Sequence, residues 1–368
     1  MRAINRKLHL WLSLPLGLLF SLLCLTGALL VFEQDINAAR QARLLRVTPP
    51  AKGQPLPPAE LAERISRQVP DSLRLTSLQL DADPTRAALA AFDNTGRRQL
   101  AVCPYTGQIK GWTSGSPLLQ TVRKLHRWLL NPPPAKGAAS VGKRITGIST
   151  LAMTVVLLSG LVIWWPRSRR QLRSRLTVST RHGKRRFWYD IHSSLGLYAL
   201  PLLLVMALTG LTWSFGWYRN AVYGMLGAGP SGSPQKTMRQ KAGPSPHART
   251  AAFDYTVWNR TAAEAAALCP DARWLRLTTR GEAEVLPERA PLSRASTRLV
   301  TRRPDGAVIC VEPWADRPRS QKVRAWMFAL HTGAWGGTAV RILYALATLV
   351  GASLPLTGYY LWWRRRRA

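Results

Sequence analysis

The sequence predicts an α-helical membrane protein in which four transmembrane helices form two parallel repeats and two small α+β domains lie outside the bilayer. Three observations carry that prediction. Four apolar runs, at about 8–32, 141–165, 192–215 and 338–363, each approach or exceed the ~20 residues that a helix needs to cross a ~30 Å hydrocarbon core. Basic residues gather at one end of these runs: Arg2, Arg6 and Lys7 precede the first, nine Lys/Arg and no acid fill 166–186, and Arg364 to Arg367 follow the last. The chain also repeats itself. His9 to Gly27 and His192 to Gly210 both open on His and close on Leu-Thr-Gly at the same spacing, and Phe32/Phe215 and Asn37/Asn220 extend the match.

Taken in order, residues 1–7 form a cytoplasmic amino terminus and 8–32 the first span, which no small-residue cleavage site follows. Residues 33–140 are an external domain with an interfacial segment. Within it "ELAERISRQVP" spaces Leu61, Ile65 and Val69 as a helix, "LRLTSLQLD", "RAALAAFD" and "RRQLAVCP" alternate as strands, and "PYTGQIKGW" supplies a Thr-Gly turn. The second span, 141–165, ends "GLVIWWP" and the fourth, 338–363, ends "GYYLWWR", so both place a Trp pair at the cytoplasmic interface. Between them come the basic loop 166–191, expected to be a solvated topology anchor against anionic lipid, and the third span, 192–215. Residues 216–337 form a second external domain, with the linker "GAGPSGSPQKTMRQKAGPSP" ahead of strand-like "RWLRLTT" and "GAVICVEP". The tail 364–368 returns to the cytoplasm. Because every basic cluster flanks spans on one side, the positive-inside rule puts both termini in the cytoplasm and makes the repeats parallel.

A net charge of +34 would suit nucleic acid, but its concentration beside the spans points to membrane lipid instead. The two external regions carry 8 and 9 carboxylates. Cys24 lies in a span, Cys103, Cys269 and Cys310 are external, and Cys269 with Cys310 falls within one domain where a bridge is open to them. The absence of CxxC and CxxCH argues against iron–sulfur clusters and c-type haem. There is no P-loop, GxSxG or zinc-spaced cluster and no nicotinamide or flavin fingerprint, the GAGPSG string at 227–232 lying inside the linker, so an electron donor, if one is used, is external.

The chemistry concentrates on histidine. Four of the six, His9, His126, His192 and His331, occupy equivalent places in the two repeats: His9 and His192 at the cytoplasmic entry of the first and third spans, His126 and His331 shortly before the second and fourth on the external side. Low-spin b-type haem takes two axial imidazoles, and two repeats deliver that pair twice. Eighteen residues make five turns, so His9 and Gly27 share one face about 27 Å apart, as do His192 and Gly210, leaving a side-chain-free surface for a flat macrocycle near each Gly. The same residues also fit close helix packing at Gly with interfacial His, or metal ions. Arg144 and Arg341, at the outer ends of the second and fourth spans, are placed for haem propionates or for headgroups. Trp128, Trp326 and Trp335 lie near the outer His pair and line either a substrate surface or an interfacial belt. His182 and His247 fall in the basic loop and the linker, where solvated roles are expected.

The opening "HLWLSLPLGLLFSLLCLTGALLVFEQDI", the "CPYTGQIKGW" turn, "DIHSSLGLYALPLLLVMALTG", "LHTGAWGG" and the "GYYLWWRRRR" ending resemble the PepSY-associated transmembrane proteins, over essentially the whole chain. Where the common PepSY turn has Asp before Pro-x-Thr-Gly, this chain has Cys103. The resemblance implies four spans in a bacterial inner membrane, PepSY-like periplasmic domains, two haem b groups, and an enzyme that reduces ferric siderophore, hydroxamate type expected, to release iron. The donor would be quinol or a cytoplasmic reductase. Two other functions fit the same motifs: a non-enzymatic regulatory or binding protein acting through its PepSY-like domains, or a component of a siderophore transporter.

Overall fold

The computed structural model describes residues 2–96, 98–134, 140–181, 183–229 and 253–367. His182, His247 and most of the expected linker lie outside the described residues. Along the chain, α1 (Arg2–Val31), α2 (Glu33–Arg40), α3 (Ala42–Leu45) and α4 (Pro58–Gln68) lead into β1 (Leu75–Asp81), β2 (Ala88–Phe92), β3 (Gln99–Val102) and β4 (Ile109–Trp112). Then follow α5 (Pro117–Trp128), α6 (Val141–Trp164), α7 (Arg169–Leu176), α8 (Gly183–Ser214), α9 (Gly216–Met225) and α10 (Val257–Leu268). The chain closes with β5 (Ala272–Thr278), β6 (Glu282–Pro287), β7 (Thr297–Thr301), β8 (Val308–Glu312), α11 (Arg319–Thr332) and α12 (Gly337–Arg366).

Two compact units share these elements. One comprises residues 1–34, 116–231 and 326–368, the other 35–115 and 232–325, as far as they are described. The first holds four helices long and apolar enough to cross a membrane: α1, α6, α8 and α12. They form a ring in which α1 packs on α6 and α12, and α8 packs on α6 and α12, so the first spans of the two repeats face each other across the bundle. Phe20, Cys24, Met153, Val156, Leu157, Ala199, Leu203, Ala347 and Ala352 fill its middle. The helices α1, α8 and α12 extend beyond the expected spans, because their basic, water-facing ends continue the helix without a breaker. Close helix contacts occur at Gly17 against Pro355 and Tyr359, Gly147 against Ser214, and Gly351 against Leu203 and Cys24.

The basic loop keeps most of its Lys and Arg exposed while its backbone folds back onto the ends of α6 and α8. Arg175 donates to the carbonyls of Ile163 (3.2 Å) and Trp164, capping the end of α6. Ser194 donates to Arg175 O at 2.9 Å and Tyr198 to Leu176 O at 3.0 Å, while buried Asp190 pairs with Arg186 at 2.8 Å.

The second unit corrects the expectation of two separate external domains. Its strands form one antiparallel eight-stranded sheet in the order β4-β3-β2-β1-β5-β6-β7-β8. The two segments join where β1 pairs with β5, from Ser77↔Thr278 to Asp81↔Trp274. Each half alone would expose β1 or β5 as an edge with unpaired backbone, and their union removes both edges. One core serves both halves: Leu61 and Ile65 of α4 and Trp258 and Ala265 of α10 pack with Leu78, Leu100, Leu277, Val285 and Leu299 of the sheet. Cys24, Cys103, Cys269 and Cys310 are all free thiols, so the Cys269–Cys310 bridge does not form.

Candidate functional site

Within the helical unit the four repeat-related histidines meet as two pairs. The rings of His9 and His192 have centroids 6.4 Å apart at 85°, and those of His126 and His331 lie 6.4 Å apart at 60°. Each imidazole is half-buried. His9 and His192 come from α1 and α8, His126 and His331 from α5 and α11, and each pair takes one ring from each repeat.

Every ring rests on a Ser/Thr-Gly dipeptide of its own repeat. His9 sits on Ser159-Gly160 of α6, His126 on Thr26-Gly27 of α1, His192 on Thr357-Gly358 of α12, and His331 on Thr209-Gly210 of α8. The Nδ1–hydroxyl distances are 3.2, 2.9, 2.8 and 3.1 Å in that order. Backbone carbonyls add to them, Val156 O at 3.0 Å from His9 Nδ1 and Met206 O at 2.9 Å from His331 Nδ1. A Cβ built at Gly160, Gly27, Gly358 or Gly210 would stand 3.3, 3.4, 3.6 or 3.2 Å from the Cε1 of the ring beside it. The open surface expected at Gly27 and Gly210 is therefore a socket filled by imidazole, because the missing side chain leaves room for one ring edge and no more.

Two of the four sockets, Gly160 and Gly358, went unread in the sequence, as did all four hydroxyls. The signal was present: Leu-Thr-Gly at 25–27, 208–210 and 356–358 and Leu-Ser-Gly at 158–160 are one motif used four times. Trp213 is a further unforeseen neighbour, set edge-on to His331 at 5.2 Å between centroids. Arg341 donates to Val31 O at 2.8 Å and lies over the Phe32 ring at 5.0 Å, while Arg144 is exposed. Trp326 and Trp335 are 39% and 44% exposed, and Trp335 Nε1 donates to Tyr344 at 3.4 Å. Trp128 stacks under Arg127. Glu33 of α2 pairs with Arg123, one turn before His126 on α5, and so ties that helix to the end of α1.

Bis-histidine haem suits this donor set. Nδ1 is engaged in all four rings, which leaves Nε2 as the remaining nitrogen. Two imidazoles bonded to one iron put their centroids about 6.3 Å apart, from about 2.0 Å per metal–nitrogen bond and about 1.15 Å from nitrogen to ring centre. Both observed separations match it. Two protein ligands per site is also the number a porphyrin leaves to be filled, and among the described residues there is no cluster of three or more His, Cys, Asp or Glu that would hold a bare ion. Burial pushes the His126 imidazole down to about 4, with the nearby His331 a smaller cause, and burial lowers His331 as well. Both rings are therefore neutral at pH 7, the form that ligates metal.

The family model for the PepSY-associated TM region matches residues 6–365. The chain belongs to this family. The match embraces all four spans, both His pairs and the sheet, so this PepSY-associated transmembrane protein is assigned to its family over its whole architecture and not by a single motif. No curated protein matches the chain.

Proposed function

We propose that the protein is an inner-membrane di-haem b electron-transfer protein that reduces ferric siderophore on the periplasmic side. The observation that carries this reading is the pair of 6.4 Å His–His separations, each between one ring of the first repeat and one of the second. Haem b held by His9 with His192 and by His126 with His331 would supply a one-electron relay at two depths, about 27 Å apart along the eighteen residues from His9 to Gly27.

The chain's own residues supply the rest. The Ser/Thr hydroxyls aim the imidazoles, the four glycines admit them, and the apolar middle of the bundle keeps water from the space between the layers. The basic clusters support a cytoplasmic side for the His9/His192 layer, where quinol or a cytoplasmic reductase is the donor. Trp128, Trp326 and Trp335 are proposed to line the substrate surface beside the other layer. Hard hydroxamate oxygens hold Fe(III) far better than Fe(II), so a one-electron reduction there releases the iron. Within the family, the motifs resemble most the siderophore reductase FoxB, which is the ground for choosing this substrate class.

The test is a reduced-minus-oxidised spectrum and a pyridine haemochrome assay on the purified protein. About two b haems per chain, reoxidised by a ferric hydroxamate, support the reading. A colourless protein refutes it and leaves a regulatory or transport role for the sheet and spans.

A further inference from the structure

We propose that Thr26, Ser159, Thr209 and Thr357 are positioning residues that lock all four imidazoles as the Nδ1–H tautomer, so that each ring can offer only Nε2 to a metal. The argument is a count of protons. A hydroxyl carries one. In each of these residues it already points at carbonyls of its own helix: Thr26 to Leu22 O at 2.7 Å, Ser159 to Val156 O at 2.9 Å, Thr209 to Val205 O at 2.6 Å, and Thr357 to Leu354 O at 2.9 Å. What remains toward His Nδ1 is a lone pair. An imidazole nitrogen 2.8–3.2 Å from that lone pair must bring the proton itself. The carbonyls of Val156 and Met206, which only accept, demand the same tautomer of His9 and His331. At Gly160, Gly27 and Gly210 the glycine that follows completes the device, since a Cβ there would stand 3.2–3.4 Å from Cε1 and press the ring off its hydroxyl, while at Gly358 the 3.6 Å separation leaves the alignment to the Thr357 hydroxyl. The hydroxyl thus sets which nitrogen is bare at all four sites, and at three of them the glycine beside it also sets where the ring lies.

The inference deepens the haem reading and rests on it for its consequence, though not for the tautomer itself. Two measurements separate them. In haem-free protein with 15N-labelled histidine, the wild type should show Nδ1–H signals for the four paired rings. Thr26→Val, Thr209→Val, Thr357→Val and Ser159→Ala should each release one ring to mixed tautomers. In haem-loaded protein, each of these variants should weaken retention of the haem in its own layer by about 10–100-fold, as loss of an outer partner does at other metal sites, while the other layer keeps its spectrum. Thr26→Ser, Thr209→Ser and Thr357→Ser should restore both readouts. Thr348→Val is the control: Thr348 makes the same bonds to its own helix, to Tyr344 O at 3.0 Å and Ala345 O at 2.8 Å, without bonding an imidazole. Wild-type tautomers and haem retention in the Val and Ala variants overturn the proposal, as does an equal loss in Thr348→Val. Locked tautomers in a wild type that binds no haem overturn the functional reading and leave the tautomer lock standing.

Discussion

Replacing the socket glycines by alanine should give effects of opposite sign at two positions that look identical in sequence. In a helix interior, Gly→Ala is ordinarily stabilising by about 0.5–1 kcal/mol, because Gly loses more backbone freedom on folding. At Gly358 the added Cβ would lie 3.6 Å from His192 Cε1, an ordinary contact, so Gly358→Ala should keep that gain. At Gly210 the distance to His331 Cε1 is 3.2 Å, and relief to about 3.5–4.0 Å requires the ring to shift by about 0.3 Å or more. That ring is held by bonds of 2.9 Å to Met206 O and 3.1 Å to Thr209 Oγ1, and the shift stretches them toward the limit of hydrogen bonding. Overpacking of this kind costs about 1–3 kcal/mol, which outweighs the backbone gain. Gly210→Ala should therefore lower the thermal midpoint in detergent by a few degrees and perturb the haem proposed at His126 and His331, while Gly358→Ala raises the midpoint and leaves both proposed haems. Gly160→Ala and Gly27→Ala, at 3.3 and 3.4 Å, should fall between. Thermal unfolding and haem content of the four variants decide it. If Gly210→Ala and Gly358→Ala both stabilise, with both haems retained, the socket argument is wrong.

His126→Ala or His331→Ala should remove or perturb one haem and abolish most ferric-siderophore reduction, with the other haem still reducible by the physiological donor; His9→Ala or His192→Ala should leave a haem that only dithionite reduces. Spectra and reduction rates of the four variants test both statements. Reporter fusions after Arg367 should read as cytoplasmic, and fusions at Gly96 in the β2–β3 turn as periplasmic, because the basic clusters at 2–7, 166–186 and 364–367 all lie on one side of the spans. Leu78→Ala, which empties a fully buried position on β1, should cost about 2–5 kcal/mol and, under limited proteolysis, open 35–115 and 253–325 together, since both segments share that core. Independent opening of the two segments would contradict a single sheet.

Much of this molecule is written locally. Apolar length and terminal charge determine the spans, because a bilayer imposes one helix length and one charge asymmetry on any sequence that crosses it. Strand alternation at 73–81, 86–93 and 97–104 marks β1 to β3, since one face of each must meet a core. The equivalence of His9 with His192, and of His126 with His331, follows from duplication and is legible in spacing alone. What lay beyond the sequence were relations between segments far apart in the chain. Nothing in "LRLTSLQLD" or "RWLRLTT" says that the two strands pair with each other; that depended on each being the edge the other half lacked. The basic loop reads as exposed charge and is exposed, but the bonds by which Ser194 and Tyr198 gather its backbone and Asp190 holds Arg186 are not legible in its composition. The same holds for the sockets. Sequence by itself determined four spans and the equivalence of the four histidines between the repeats. Only the tertiary structure decided that each His rests on the Ser/Thr-Gly of a neighbouring helix 100 to 165 residues away and faces the His of the other repeat, because tautomer and ring position are set by a partner that packing, not chain order, supplies.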